Sequence, residues 1–138
     1  MPVRIHISYE GDLRCQAVHG PSGEQLRTEA PVDNGGKGEH FSPTDLVAAA
    51  LGSCMLTNIG ARARRAGIDV AGASVVVEKE MGSTPRRHIS RLKTTVTLPA
   101  IISPEERGRI EAAARACPVA ASLGPQTELA ITFEYRSP

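Results

Sequence analysis

One stretch of this 138-residue chain, residues 46–59, limits its possible folds more than any other. It is apolar on every face of a helix, and Gly52 is its only glycine. Upstream, Ser42 is a typical N-cap, followed by a proline and by Asp45, whose carboxylate can reach back to the cap. Downstream, the helical pattern ends in a basic turn before Gly67, which suits a left-handed C-cap. We therefore predict a long central helix whose first half is packed by protein on all sides.

The same stretch favours a soluble chain over one that spans a membrane. At about 14 residues, with Ser53 and Asn58 inside it, it is too short and too polar for a bilayer. Residues 1–6 lack the apolar core of a signal peptide. Hydrophobic residues make up 41% and charged residues 22%, as in ordinary globular proteins. We expect one soluble domain over residues 1–138, located in the cytoplasm, where its three cysteines would stay reduced.

Short strands and further helices are predicted on both sides of the central helix. Alternation of apolar and polar residues indicates half-buried strands, and capping residues indicate helix starts. The predicted strands are residues 3–9, 13–17, 25–29, 73–77, 92–98 and 129–135, and the predicted helices are residues 103–116 and 118–123. This order is typical of an α+β fold without βαβ alternation. Because aromatic residues make up only 3%, the core must consist of Val, Ile, Leu and Ala, with backbones in close approach.

Charge and residue spacing disfavour several functional classes. A net charge of +1 and four scattered aromatic residues argue against nucleic-acid binding. The four histidines have no metal-ligand spacing with each other or with the cysteines. Three glycines surround Lys37, but the Ser or Thr of a phosphate-binding loop does not follow. We therefore interpret residues 31–41 as a mobile loop.

The three cysteines have different predicted environments. Cys15 lies on a strand, where a small apolar filler is expected. Cys54 lies within the apolar helix, where burial as an inert thiol is the plain interpretation. Cys117 stands where Pro118 interrupts one helix and starts another, so backbone N–H groups there would favour its thiolate. From the residues alone, reactive thiol chemistry and plain burial both remain open.

Two segments and one turn resemble the OsmC/Ohr family of thiol peroxidases. Residues 41–58, FSPTDLVAAALGSCMLTN, resemble the family's central-helix signature, which ends near the reactive cysteine. Residues 116–119, ACPV, resemble the motif of its second cysteine, and residues 9–14 resemble its N-terminal hairpin. The resemblance extends over essentially the whole chain.

This resemblance implies an intertwined homodimer with antiparallel sheets, a long buried central helix and active sites at the subunit interface. It implies that Cys54 is the peroxidatic thiol and Cys117 the resolving thiol. The implied substrate is an organic hydroperoxide, or hydrogen peroxide, and the implied reductant is an external dithiol or protein thiol. The implied role is defence against oxidative stress, with no metal, haem or flavin.

In the family, an arginine of the N-terminal hairpin and a glutamate after the helix-start proline support the thiolate. Arg14 is the arginine that the hairpin motif indicates, with Arg27 as the alternative. The residue after Pro43 is Thr44, so the chain resembles a broader branch of the family that lacks this glutamate. Glu39 and His40, in the preceding loop, are the candidate substitutes.

Three functional hypotheses follow. The leading one is a thiol peroxidase that acts through Cys54 and Cys117. The second, prompted by Thr44, is a dimer that binds a small molecule or a thiol ligand without efficient peroxidase activity. The third is a structural dimer in which both cysteines are core residues.

Overall fold

Two three-stranded sheets contain all the strands that the computed structural model describes, over residues 1–137. One sheet lies in a unit formed by residues 1–47, and the other lies in a unit that begins at Ala48. Helices accompany the second sheet, so the α+β class predicted from the sequence is confirmed. The single domain over residues 1–138 stays a prediction.

The first unit is an antiparallel meander of three strands. These are β1 (Ile5–Gly11), β2 (Arg14–His19) and β3 (Gln25–Glu29). Positive φ angles at Gly11, Asp12 and Leu13 (89°, 54° and 61°) form the turn between β1 and β2. This turn places Arg14 at the start of β2, opposite Glu29 at the end of β3. All three predicted strands are confirmed, and β3 has the predicted bounds.

Strand β1 is more exposed than the sequence predicts. Its apolar side chains Ile5, Ile7 and Tyr9 are 53–67% exposed, although their alternation indicated a half-buried strand. Alternation shows that a strand has an apolar face, but it does not show that the same chain covers that face. The prediction of the strand was therefore right, and the prediction of its burial was wrong for the single chain.

The central helix α1 extends from Pro43 to Ala66 and has both predicted caps. The Asp45 N–H donates to Ser42 Oγ at 3.0 Å, and the Ser42 N–H donates to Asp45 Oδ2 at 2.9 Å. This is the reciprocal capping box that the sequence indicates. At the other end Gly67 has a φ of 70°, and the N–H of the next residue bonds to the Ala63 carbonyl at 2.9 Å. These two features form a Schellman-type stop.

Helix α1 is not covered on all sides within the single chain. Its buried positions are Ala48, Leu51, Gly52, Met55, Ile59 and Ala63. Ala49, Ala50 and Ser53 are exposed, so the prediction that the first half of the helix is packed on all sides was wrong for the chain by itself. By length and composition, this 24-residue helix also qualifies as a membrane span. That is weak evidence, because the core helix of a soluble protein meets the same criterion.

The second unit has a mixed sheet rather than an antiparallel one. Its elements after α1 are β4 (Ser74–Gly82), β5 (His88–Pro99), α2 (Pro104–Arg115), α3 (Pro118–Ser122) and β6 (Glu128–Arg136). β4 pairs with β5 antiparallel, as predicted, but β6 pairs with β5 parallel. Because parallel neighbours need a crossover connection, α2 and α3 form a β–α–β unit. The prediction of antiparallel sheets without such a unit was therefore wrong here.

The core of the second unit is built from aliphatic side chains, as predicted. Its fully buried positions include Leu51, Met55, Ile59, Leu92, Val96, Leu98 and Ile110, and no aromatic residue in the described chain is fully buried. At Gly52, a Cβ atom would lie 3.2 Å from Val75 Cγ1 and from Val77 Cγ2. Gly52 therefore allows α1 to approach β4 closely.

Candidate active site

Cys54 and Cys117 are brought together in the second unit. Cys54 lies on α1, is half-buried and packs against the hydrophobic core that contains Cys117. The Cys54 side chain is a neighbour of Cys117 that raises the pKa of the Cys117 thiol, and both thiols are free. The pair indicated by the sequence motifs therefore exists as a spatial pair.

Cys117 is a buried thiol that caps α3. The residue is 0% exposed, and its Sγ accepts a hydrogen bond from the Ala120 N–H at 3.3 Å. Burial raises the pKa of Cys117 and the neighbouring Cys54 thiol raises it further, while the N–H groups of Ala120 and Val119 lower it only in part. The N–H groups at the helix start favour the thiolate, as predicted, but burial outweighs them, so the pKa of Cys117 is raised overall. Cys117 is therefore held in its protonated form.

One face of α1 fixes the helix against α2 near the two thiols. Asn58 lies one turn after Cys54, and its Nδ2 donates to the Ala113 carbonyl at 3.2 Å. One further turn along, Arg62 Nη2 lies 3.3 Å from Glu106 Oε2. These contacts set the position of α1 along α2, from the first turn of α2 at Glu106 to its last turn at Ala113, which leads directly to Cys117. The sequence analysis did not predict this contact, although an amide inside an apolar run indicates a buried hydrogen bond.

Arg14 lies in the first unit, between two carboxylates. Its Nη2 forms a short ion pair with Glu39 Oε1, and its Nε lies 3.4 Å from Glu29 Oε1. The Nε atom is itself buried and makes no hydrogen bond. Arg27, the alternative candidate, is more exposed and pairs with Glu10 at 2.8 Å. Each candidate arginine therefore already has a carboxylate partner.

Glu29 is a buried carboxylate surrounded by donors. It is 1% exposed and accepts hydrogen bonds from the Lys37 N–H at 2.8 Å and the Glu39 N–H at 3.2 Å. The His40 ring Nδ1 lies 3.2 Å from its Oε1. Burial alone would raise the pKa of Glu29, but these donors and Arg14 outweigh it and lower the pKa to about 2. Sequence reasoning missed Glu29, because a glutamate at a strand end carries no distinctive signal.

The loop at residues 31–41 is more ordered than its glycines indicated. It contains a short 3₁₀ turn, Val32–Asn34, and residues 37–40 are bound to the Glu29 carboxylate. At Gly36, a Cβ atom would lie 1.6 Å from the Ala30 carbonyl oxygen. Only glycine therefore allows the backbone at residue 36 to approach Ala30 this closely. The interpretation of the segment as a mobile loop is therefore corrected.

The position of the family glutamate is occupied by capping residues. Thr44 Oγ1 lies 3.2 Å from Ser42 Oγ, and the Asp45 carboxylate is bound to the Ser42 N–H. Asp45 therefore has the structural role that the sequence predicted for it. Among residues 1–137, no group of three or more His, Cys, Asp or Glu side chains is arranged to hold a metal ion.

Comparisons with known proteins agree with the sequence motifs. The model of the OsmC-like protein family matches residues 36–132, more than two thirds of the chain. No match was found among functionally curated proteins. A crystal structure from Psychrobacter arcticus, provisionally described as an osmotic stress induced and detoxification response protein, is 41% identical with a TM-score of 0.88. That similarity covers 94% of this chain and 93% of the other.

Two more distant structures share the fold. An organic hydroperoxide resistance protein from Elizabethkingia anophelis is 16% identical, with a TM-score of 0.79 and coverage of 99% of this chain and 97% of the other. One from Legionella pneumophila is 16% identical, with a TM-score of 0.77 and coverage of 97% of each chain. At these identities the similarity shows the fold alone.

Proposed function

Because the chain belongs to the OsmC-like protein family, we propose that it is a cysteine-based peroxidase that reduces organic hydroperoxides. The observation that carries the proposal is the pair of neighbouring free thiols, Cys54 and Cys117, each within its own family motif. Relatives of the same fold are organic hydroperoxide resistance proteins, and this chain is proposed to share their substrate class.

The proposed reaction needs only thiols and a peroxide. The Cys54 thiolate attacks the O–O bond of ROOH, takes one oxygen to become a sulfenic acid, and the alkoxide leaves as ROH after gaining a proton. The Cys117 sulfur then displaces hydroxide from the sulfenic sulfur, so a Cys54–Cys117 disulfide forms and water is released. An external dithiol or protein thiol reduces this disulfide by exchange and is itself oxidised to a disulfide.

The environments of the two thiols support these roles. Cys54 is partly accessible, as the thiol that meets peroxide has to be. Cys117 is fully buried with a raised pKa, so it stays protonated and is protected from peroxide until Cys54 has reacted. By resemblance, Arg14 provides the positive charge that favours the Cys54 thiolate and supports the departing alkoxide.

We also propose that the protein acts as a homodimer in the cytoplasm. The support for a dimer is the apolar surface that the single chain leaves exposed on β1 and on α1. A reducing cytoplasm would supply the dithiol or protein thiol that closes the cycle.

The deciding experiment is the intact mass and free-thiol count of reduced protein, before and after one equivalent of cumene hydroperoxide. We expect the wild type to lose two hydrogens and two thiols, and Cys117→Ser to stop at a trappable sulfenic acid. Cys54→Ser is expected to stay unchanged. Cys15→Ser is the matched control, and it is expected to behave like the wild type. If the wild type keeps both thiols, the peroxidase proposal is wrong.

A second candidate function is a dimer that binds a small molecule or thiol ligand without efficient peroxide chemistry. The observation that favours it is Thr44, which stands where the family glutamate would be and is engaged with the helix cap. In this case Cys54→Ser would retain ligand-induced thermal stabilisation, and the wild type would consume peroxide no faster than free cysteine.

A further inference from the structure

We propose that Asn58 is a positioning residue for the resolving step: by binding the end of α2, it keeps Cys117 next to Cys54. This inference deepens the proposed function and rests on the pairing of the two cysteines within it. All three residues belong to the unit that begins at Ala48.

Asn58 lies on the same face of α1 as Cys54. It follows Cys54 by about one helical turn, and positions one turn apart are neighbours on the surface of a helix. Its side chain is half-buried, and the next residue, Ile59, is fully buried. An amide that loses part of its contact with water needs a protein partner. The partner of Asn58 Nδ2 is the Ala113 carbonyl, at 3.2 Å.

The Ala113 carbonyl is a group that α2 does not satisfy by itself. The helical hydrogen bonds of α2 end where the Ala116 N–H donates to the Ala112 carbonyl at 3.1 Å. The carbonyls that follow at a helix end have no N–H donor of the same helix. Asn58 therefore caps the C-terminus of α2 from another helix, and its loss would leave this carbonyl without that donor.

Cys117 lies directly after this capped end. Its backbone is extended (φ −70°, ψ 142°), and Pro118 starts α3 immediately after it. Its Sγ accepts a hydrogen bond from the Ala120 N–H at 3.3 Å, so the thiol is fixed to the start of α3. Cys54, in contrast, is carried by α1. The Asn58 hydrogen bond thus joins the helix that carries one thiol to the segment that carries the other.

Disulfide formation is sensitive to the placement of the two thiols. The bond needs the two Cβ atoms within about 4.5 Å of each other. Groups that are held in place react far faster than free ones, and a displacement of about 1 Å can cost roughly a hundredfold in rate. Without the Asn58 hydrogen bond, the end of α2 could move away from α1. The Cys54–Cys117 disulfide would then form more slowly and be less favoured.

The test is the equilibrium between the dithiol and the Cys54–Cys117 disulfide in glutathione buffers at pH 7, followed by the intact mass of the full-length protein. Each conversion consumes one oxidised glutathione and yields two reduced ones, so the buffer ratio gives the equilibrium constant. Every protein carries Cys15→Ser, so that only the two thiols react. We expect Asn58→Leu, which has a similar size but no donor and no charge, to lower this constant on the order of tenfold. Asn58→Ala, which also lacks the donor, is expected to lower it as well.

Arg62→Met is the matched control. Arg62 lies on α1 one turn beyond Asn58, and its Nη2 lies 3.3 Å from Glu106 Oε2 in the first turn of α2, far along the helix from Cys117. It therefore joins the same two helices without holding the end that leads to Cys117. If Arg62→Met lowers the equilibrium constant as much as Asn58→Leu, or if Asn58→Leu leaves it unchanged, the inference is overturned.

The reactivity of Cys54 by itself distinguishes positioning from a direct effect on this thiol. In the reduced protein, iodoacetamide should alkylate Cys54 at the same rate in Asn58→Leu as in the wild type, because the hydrogen bond acts on the end of α2. A loss of alkylation rate as large as the loss of the equilibrium constant would show that Asn58 acts on Cys54 alone, and the inference would be overturned.

Glutathione exchange needs no peroxide, so it separates this inference from the proposed function. If Asn58→Leu weakens the disulfide while the wild type does not consume cumene hydroperoxide, the peroxidase proposal fails and the inference about the thiol pair stands. If the wild type does consume it, the Cys54 sulfenic acid should last longer in Asn58→Leu, and dimedone should trap a larger fraction of it. An equal trapped fraction in both proteins overturns the role in the resolving step.

Discussion

The carboxylate of Glu29 stays charged although the side chain is buried, because hydrogen-bond donors replace the water it has lost. Its pKa of about 2 lies below the ordinary value of 4.5. A carboxyl whose pKa is lower in the folded state stabilises that state at a pH above its unfolded pKa. This contribution is lost as the pH falls from about 4.5 towards 2.

We therefore predict that acid weakens the wild type more than Glu29→Gln. The free energy of unfolding, measured by urea denaturation, should be higher for the wild type at pH 6. The difference should shrink steadily below pH 4.5 and nearly vanish near pH 2. A difference that is constant over this range would show that Glu29 acts by packing and not by its charge. Glu10→Gln is the exposed comparison, and it should show little dependence on pH.

Single residues were predictable from the sequence where a motif fixes them. Cys54 and Cys117 were identified by their motifs, and the structure makes them neighbours. The environment of Cys117 was not predictable, because its burial depends on the packing of α1 and the sheet around it. Glu29 was not predictable either, since its donors come from a loop whose path the sequence does not reveal.

At the scale of elements, the two glycines of α1 differ in how closely other atoms approach them. A Cβ at Gly52 would contact Val75 and Val77 of β4, whereas a Cβ at Gly60 would meet nothing within 4 Å. Alanine is a better helix former than glycine by about 1 kcal/mol. The helix should therefore gain from alanine at both positions, and strain should oppose the gain at Gly52 alone.

We predict that Gly60→Ala stabilises the protein by about 1 kcal/mol and that Gly52→Ala gives little or no gain. Gly52→Val should destabilise it by about 2 kcal/mol, because a larger side chain forces α1 away from β4. Urea denaturation at pH 7 measures all three. Equal stabilisation by alanine at both positions would show that the contact at Gly52 is not tight.

Elements were predicted best where local chemistry specifies them. The capping box at Ser42, the stop at Gly67 and the bounds of β3 all depend on neighbouring residues and were right. The parallel pairing of β6 with β5 was missed, because strand direction depends on how α2 and α3 fold back and not on the strand's own residues.

At the scale of the whole molecule, the exposed apolar face of β1 predicts self-association. A lysine at Ile7 would place a charge on this face, while a lysine at Ser8 would lie on the opposite face of the same strand. We expect the wild type and Ser8→Lys to sediment at twice the mass of one chain, and Ile7→Lys to shift towards one. If the wild type sediments as a single chain at micromolar concentration, the proposed homodimer is wrong.

The pairing of Cys54 with Cys117 has a consequence for chain entropy. A bond between them would close a loop of roughly 60 residues that contains β4, β5 and α2, most of the second unit. Closing a loop of this length removes conformational freedom from the unfolded chain, equivalent to about 4 kcal/mol in the loop-entropy model. Oxidation of the two thiols would therefore make the second unit markedly harder to unfold. Reduction of the disulfide would restore the conformational freedom of the unfolded chain and remove this stabilisation. The oxidised protein, in which the disulfide has formed, should therefore resist proteolysis better than the reduced protein.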